Sequence, residues 1–182
     1  MLLASNELVA SYKVATTIPF ALLFIPGMIM TYAYPYFARN KDDRRWTLNG
    51  YRRLIMANVL CMAVLTILVV AFAEPLTMII FGSEYLDSVR TMQLLMIGFF
   101  ITAAIRQPSG NLLVTQRKLL WNTVVGVLSI FVNVVANLIL VTGFGMLGAA
   151  LAFDLTMLFG AVANTILYLR ALASIPESST AS

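Results

Sequence analysis

Residues 119–141 read LLWNTVVGVLSIFVNVVANLILV, without one Asp, Glu, Lys or Arg. A helix needs only about 20 such residues to cross about 30 Å of hydrocarbon. The run is continuous rather than alternating, which separates it from a strand of a lipid-facing barrel. After a short gap, residues 147–169 (LGAALAFDLTMLFGAVANTILYL) repeat the pattern with a single carboxylate, Asp154. Working back along the chain, residues 89–114, 54–80 and 12–37 form three more apolar runs of spanning length. In lipid each backbone amide must be satisfied inside its own segment, so such runs are helices. The expected fold class is all-α: a polytopic transmembrane helix bundle of five spans over residues 12–170. An external N-terminal segment (1–11) should precede it and a disordered cytoplasmic tail (171–182) should follow.

Hydrophobic residues make up 60% of the chain and charged residues 11%, with mean hydropathy +0.89. A soluble domain carries about twice that charge. Histidine is absent and Cys61 is the single cysteine, which excludes imidazole acid–base chemistry, zinc sites and intrachain disulfides. Cys61 falls inside an apolar run and reads as a packing residue. Neither a metal site nor a cofactor is expected. The longest loop, about 16 residues between the first two spans, is basic and lacks the catalytic acids of a membrane enzyme, so no enzyme is expected.

Positive charge is segregated. Arg39, Lys41, Arg44, Arg45, Arg52 and Arg53 lie between the first two runs, Arg117 and Lys118 between the third and fourth, and Arg170 after the fifth. On the other side, at the opposite ends of the runs, lie only Lys13 and Arg90. The positive-inside rule then gives a multi-pass protein of the inner (plasma) membrane, with its N-terminus outside and its C-terminus cytoplasmic. Basic residues beside spans point to membrane lipids as partners and not to nucleic acid. Trp46 and Tyr51, with Tyr32, Tyr34 and Tyr36, fit an interfacial aromatic belt. Residues 1–11 lack the basic, apolar and cleavage regions of a signal peptide. With its start outside, the chain reads as though entered in the middle, with an earlier span expected before it.

The polar residues within the spans are the candidate sites. Pro26-Gly27 marks a kink, because proline withholds the amide hydrogen expected by the carbonyl four residues back. The third run carries Thr102, Arg106, Gln107, Pro108, Ser109, Gly110 and Asn111, and Pro108 leaves the Ala104 carbonyl without its usual donor. Arg106 lies about 24 Å below the level of Arg90. It has two readings: snorkelling toward cytoplasmic headgroups or structural pairing, and lining an anionic substrate path together with Gln107 and Asn111. Asn133 and Asn137 share one helical face, where amides either bond across helices or line that path. Asp154, about 10–12 Å from the outer end of its helix, either pairs with another helix or couples transport to an ion. Pro26, Gly27 and Pro108 are the hinge candidates.

Several local patterns occur in a familiar order: Ser5-Asn6-Glu7, Ser11-Tyr12-Lys13-Val14-Ala15, Ile25-Pro26, Tyr34-Pro35, Phe81-Gly82-Ser83-Glu84-Tyr85, and Asn133 and Asn137 before Gly145-Met146-Leu147-Gly148-Ala149-Ala150. Over residues 5–170 they resemble the second half of a polysaccharide flippase of the O-antigen type, in the multidrug/oligosaccharidyl-lipid/polysaccharide exporter superfamily. The resemblance implies two pseudo-symmetric lobes, of which this chain would be the C-terminal one. Its partner would be the missing first lobe or a second copy. It also implies a substrate, polyprenyl-diphosphate-linked oligosaccharide, exported for cell-surface polysaccharide or lipopolysaccharide biosynthesis, with Arg106 a candidate diphosphate ligand. A multidrug cation antiporter of the same superfamily and a non-transporting membrane subunit are the alternatives. Asp154 helps the antiporter reading and Arg106 opposes it.

Overall fold

The computed structural model describes residues 6–176. All regular structure among them is helical. α1 (Asn6–Leu22) and α2 (Phe24–Arg39) form the first span; α3 (Arg44–Ala71) and α4 (Ala73–Ile80) form the second. A 3₁₀ turn, Ser83–Ser88, leads to the third span, built from α5 (Val89–Ile101), a π-helical turn (Thr102–Arg106) and α6 (Gln107–Thr115). α7 (Leu119–Ala173) completes the described chain.

α7 is two helices, not one. Gly145 breaks it with φ 55° and ψ −129°, values that side-chain-bearing residues avoid. Across the break the Asn133 amide donates to Thr156 Oγ1 at 3.2 Å, although 23 residues separate them. An unbroken helix would hold them about 35 Å apart. The backbones touch where Gly148 meets the Leu140 carbonyl. The segment is therefore a tight antiparallel hairpin, and the five expected spans are present.

Three interruptions follow one rule. Pro26 cannot donate to Leu22 and α1 ends there, with Leu23 between α1 and α2. Pro75 cannot donate to Ala71 and α3 ends there, with Phe72 between α3 and α4. Pro108 cannot donate to Ala104, and the turn holding Ala104 widens to π geometry, with Gln107 N–H bonding back to the Thr102 carbonyl. The Pro26-Gly27 kink is thus realised three residues ahead of the proline.

The third span is the axis of the bundle. Half of its most apolar window is buried, against 17–22% for the other spans. One core cluster sits at the basic end, around Phe37, Tyr51, Leu54, Leu112, Leu113, Tyr168 and Leu172. A second, around Ala15, Ala73, Met92, Leu95, Phe99 and Ala150, lies at the opposite end. Outward-facing Phe20, Ile79, Leu120 and Phe131 are each at least 67% exposed, as lipid-facing residues of a membrane protein are. Association of such helices rests on close van der Waals packing, since lipid tails are as apolar as the side chains.

The termini and the first loop differ from expectation. Helix already begins at Asn6, so residues 6–11 extend the first span, and buried Ser11 bonds Asp87 Oδ1 at 3.2 Å. At the other end α7 continues to Ala173, because Ala171 and Leu172 are buried in the core, so the tail begins later than residue 171. The disorder expected for residues 177–182 lies outside the described residues, as do residues 1–5. The first loop is only residues 40–43. Asp43 caps α3 by accepting the Trp46 N–H at 2.9 Å, so Arg44, Arg45, Arg52 and Arg53 ride on the helix. Tyr51 leaves the aromatic belt: it is buried against Tyr168, ring centroids 4.8 Å apart, and its hydroxyl shares a 2.8 Å hydrogen bond with Ser109.

The charge segregation survives in three dimensions. Gln116, beside Arg117, donates to the Lys41 carbonyl at 3.2 Å, which joins the first and third connections at one end. Leu8, Asp87, Arg90 and the hairpin tip from Phe144 to Leu147 line a 250 Å³ cavity at the other.

Candidate functional site

The third span and the second half of α7 run parallel along a polar seam. Gly98 N–H donates to Asp154 Oδ1 at 2.9 Å, and the hydroxyls of Ser109 and Thr165 lie 3.2 Å apart. Both pairs are 56 residues apart in sequence, which fixes the register. Small residues permit the approach: the Asp154 carboxylate and the Phe153 ring occupy the space a Gly98 Cβ would need.

Arg106 projects from the π turn onto Gly160, whose missing Cβ leaves room for its Nε. One guanidinium nitrogen contacts Met157 Sδ at 3.2 Å, while Nε is buried with no partner among the described residues. The seam's register would set Val162 level with Arg106. Both contacts therefore lie on the side away from the basic end, so the side chain does not snorkel toward that end. Met157 sulfur is a weak acceptor, and among the described residues no carboxylate satisfies the charge. Asp154, one turn beyond Met157, spends its hydrogen bond on Gly98 instead.

Gln107 and Asn111 turn elsewhere. They form one wall of an open groove of about 610 Å³ whose other wall is α2, contributing Phe24, Gly27, Met28, Met30, Thr31, Tyr34 and Pro35. Gly27, Thr31 and Tyr34 recur at helical spacing on that face. Gln107 Nε2 lies 3.8 Å from where a Gly27 Cβ would sit. Neither amide of the pair is hydrogen-bonded within the described residues, whereas the Thr31 hydroxyl bonds the Gly27 carbonyl at 2.9 Å. The groove holds no charged residue.

The candidates therefore divide into three places. Gln107 and Asn111 share the groove with Gly27, beside buried Pro26. Arg106 and Asp154 occupy successive turns of the seam. Asn133 and Asn137 are inside the hairpin, where Asn137 Nδ2 donates to the Asn133 backbone at 2.9 Å and to its Oδ1 at 3.1 Å. Pro108 is buried behind the groove wall. Sequence reading missed Thr31 and set Tyr34 in the interfacial belt; their spacing from Gly27 was the available signal. No cluster of three or more His, Cys, Asp or Glu suited to a metal exists among the described residues.

Residues 2–90 match the model of a family described as polysaccharide biosynthesis protein. The matched stretch spans α1 to α4 and one wall of the groove, and it bears out the resemblance to a polysaccharide flippase. No curated protein and no solved structure matches the chain.

Proposed function

We propose that this chain is the C-terminal lobe of a flippase that moves polyprenyl-diphosphate-linked oligosaccharide across the inner membrane for cell-surface polysaccharide biosynthesis. The observation that carries the reading is the polysaccharide biosynthesis match over residues 2–90. The chemistry of the bundle supports it. A guanidinium without a carboxylate partner, deep in a helix bundle, is costly unless something anionic offsets it, at least about 2.5 kcal/mol at a bilayer centre. A lipid diphosphate offers paired acceptors for its N–H fork. Oriented by the positive-inside rule, the basic end faces the cytoplasm and the hairpin tip faces outward.

The mechanism is alternating access: this lobe rocks against a second lobe, or a second copy, around a shared cavity. The protein's work is binding and reorientation, with no bond made or broken and no cofactor. The test is export in cells carrying the complete transporter. Arg106→Ala lowers polysaccharide export and Arg106→Lys retains part of it; equal export by all three forms rejects the role. The chain alone in proteoliposomes leaves a fluorescent lipid-linked sugar unflipped, and rapid flipping there rejects the need for a second lobe.

An antiporter of the same superfamily draws on one observation, the Asp154 carboxylate within the seam. Export that persists when both sodium and proton gradients are collapsed removes that reading.

A further inference from the structure

We infer that the groove between α2 and α6 is a subsite for the uncharged sugar of the lipid-linked substrate, separate from the guanidinium that meets its diphosphate. The inference rests on the flippase reading and deepens it.

The groove's chemistry decides the ligand class. Its volume of about 610 Å³ falls within the range of about 300–1,000 Å³ typical of small-molecule sites. A diphosphate would call for cationic donors, and the lining has none: it offers two carboxamides, a tyrosine and a threonine among apolar side chains. Adjacent Arg106 turns away, onto Met157 and Gly160 of α7. A bare hydrocarbon tail would leave the Gln107 and Asn111 amides without partners in a half-buried wall, an arrangement that costs free energy. A saccharide fits both features. Its hydroxyls donate to and accept from carboxamides, each of which offers two donors and two acceptor sites. Its apolar C–H faces lie against rings such as Tyr34 and Phe24, which supply large rigid apolar surfaces. Arg106 and Gln107 are sequence neighbours that point to different sides of one helix. One amphipathic ligand would thus present its sugar to the groove and its phosphates to the seam.

The test is binding by the full chain in lipid nanodiscs, with two probes: undecaprenyl diphosphate and the same lipid bearing a neutral disaccharide. Two hydrogen-bonding side chains predict a preference of about tenfold for the sugar-bearing lipid. Gln107→Met with Asn111→Leu should cut that preference to about twofold or less. Gly27→Met is the second variant. A Cβ at residue 27 has room, so the longer side chain fills the groove without a backbone clash, and the preference falls in the same way. Equal wild-type affinity for the two lipids overturns the sugar subsite while leaving the flippase reading standing. So does a preference that survives in either variant. Failure of both lipids to bind also overturns the subsite in this lobe, while the flippase reading, whose cavity is shared with a second lobe, is decided by the export test.

Discussion

The carboxylate of Asp154 reaches across to the neighbouring helix and accepts the backbone N–H of Gly98 at 2.9 Å, in the place where any other residue at 98 would put its Cβ. A helix-interior amide is normally committed to its own carbonyl, so a second acceptor arriving from outside requires a bare backbone. Glycine at 98 is the condition for the contact.

Gly98→Ala should therefore destabilise the bundle by about 1–3 kcal/mol through overpacking. Asp154→Ala in the same chain should recover part of that loss, and only part, because the Phe153 ring also crowds the site. Thermal unfolding of the single and double variants in one detergent measures the coupling. Additive losses would show that the two residues do not meet.

A parallel cycle tests Arg106. Gly160→Ala puts a Cβ against its Nε. It should lower the melting temperature in wild type and have little effect in an Arg106→Ala background. Equal shifts in both backgrounds would mean that the guanidinium lies elsewhere.

The hairpin can be locked covalently. With Cys61 replaced by Ser, Asn133→Cys with Thr156→Cys should form an intramolecular disulfide on mild oxidation, since the native side chains touch at 3.2 Å. Gly145→Val should cost about 1–3 kcal/mol, because φ 55° with ψ −129° lies outside the β-branched range. Absence of the cross-link would argue for a single long helix in place of spans four and five.

Pro26→Ala restores a donor to the Leu22 carbonyl and should let α1 run into α2 without the interruption at Leu23. Spin labels at Val9 and Asn40 would then move apart by about 2–4 Å, as expected when a kinked helix straightens. An unchanged distance would place the cause of the break in packing instead of in the proline.

Which parts of this were legible in the sequence depends on how local the cause is. Spans and turn positions were readable because lipid imposes one length and proline one missing hydrogen. The start of α3 was misjudged because a cluster of arginines reads as loop, while the Asp43 cap that begins the helix is a single side chain. Tyr51 was misassigned for a related reason. Beside basic residues it resembles a belt aromatic, yet Tyr51, Leu54, Asn58 and Met62 recur at helical spacing and are all buried. The aim of Arg106 was not legible, because it is set by a glycine 54 positions later on a different helix. Gln107 and Asn111 could be singled out as a pair, but the α2 wall that completes their groove exists only once the spans have packed.

The interruption at Leu23 and the π turn at Thr102–Arg106 stand on one storey of the bundle, since Gly27 and Gln107 face each other just below both. α3 passes that storey unbroken from Arg44 to Ala71. It therefore acts as a splint on its own flank while the other flank carries two joints side by side. Flexing there would part or close the lower segments of the first and third spans like tongs, changing the width of the cleft between them while the upper half of the molecule stayed still.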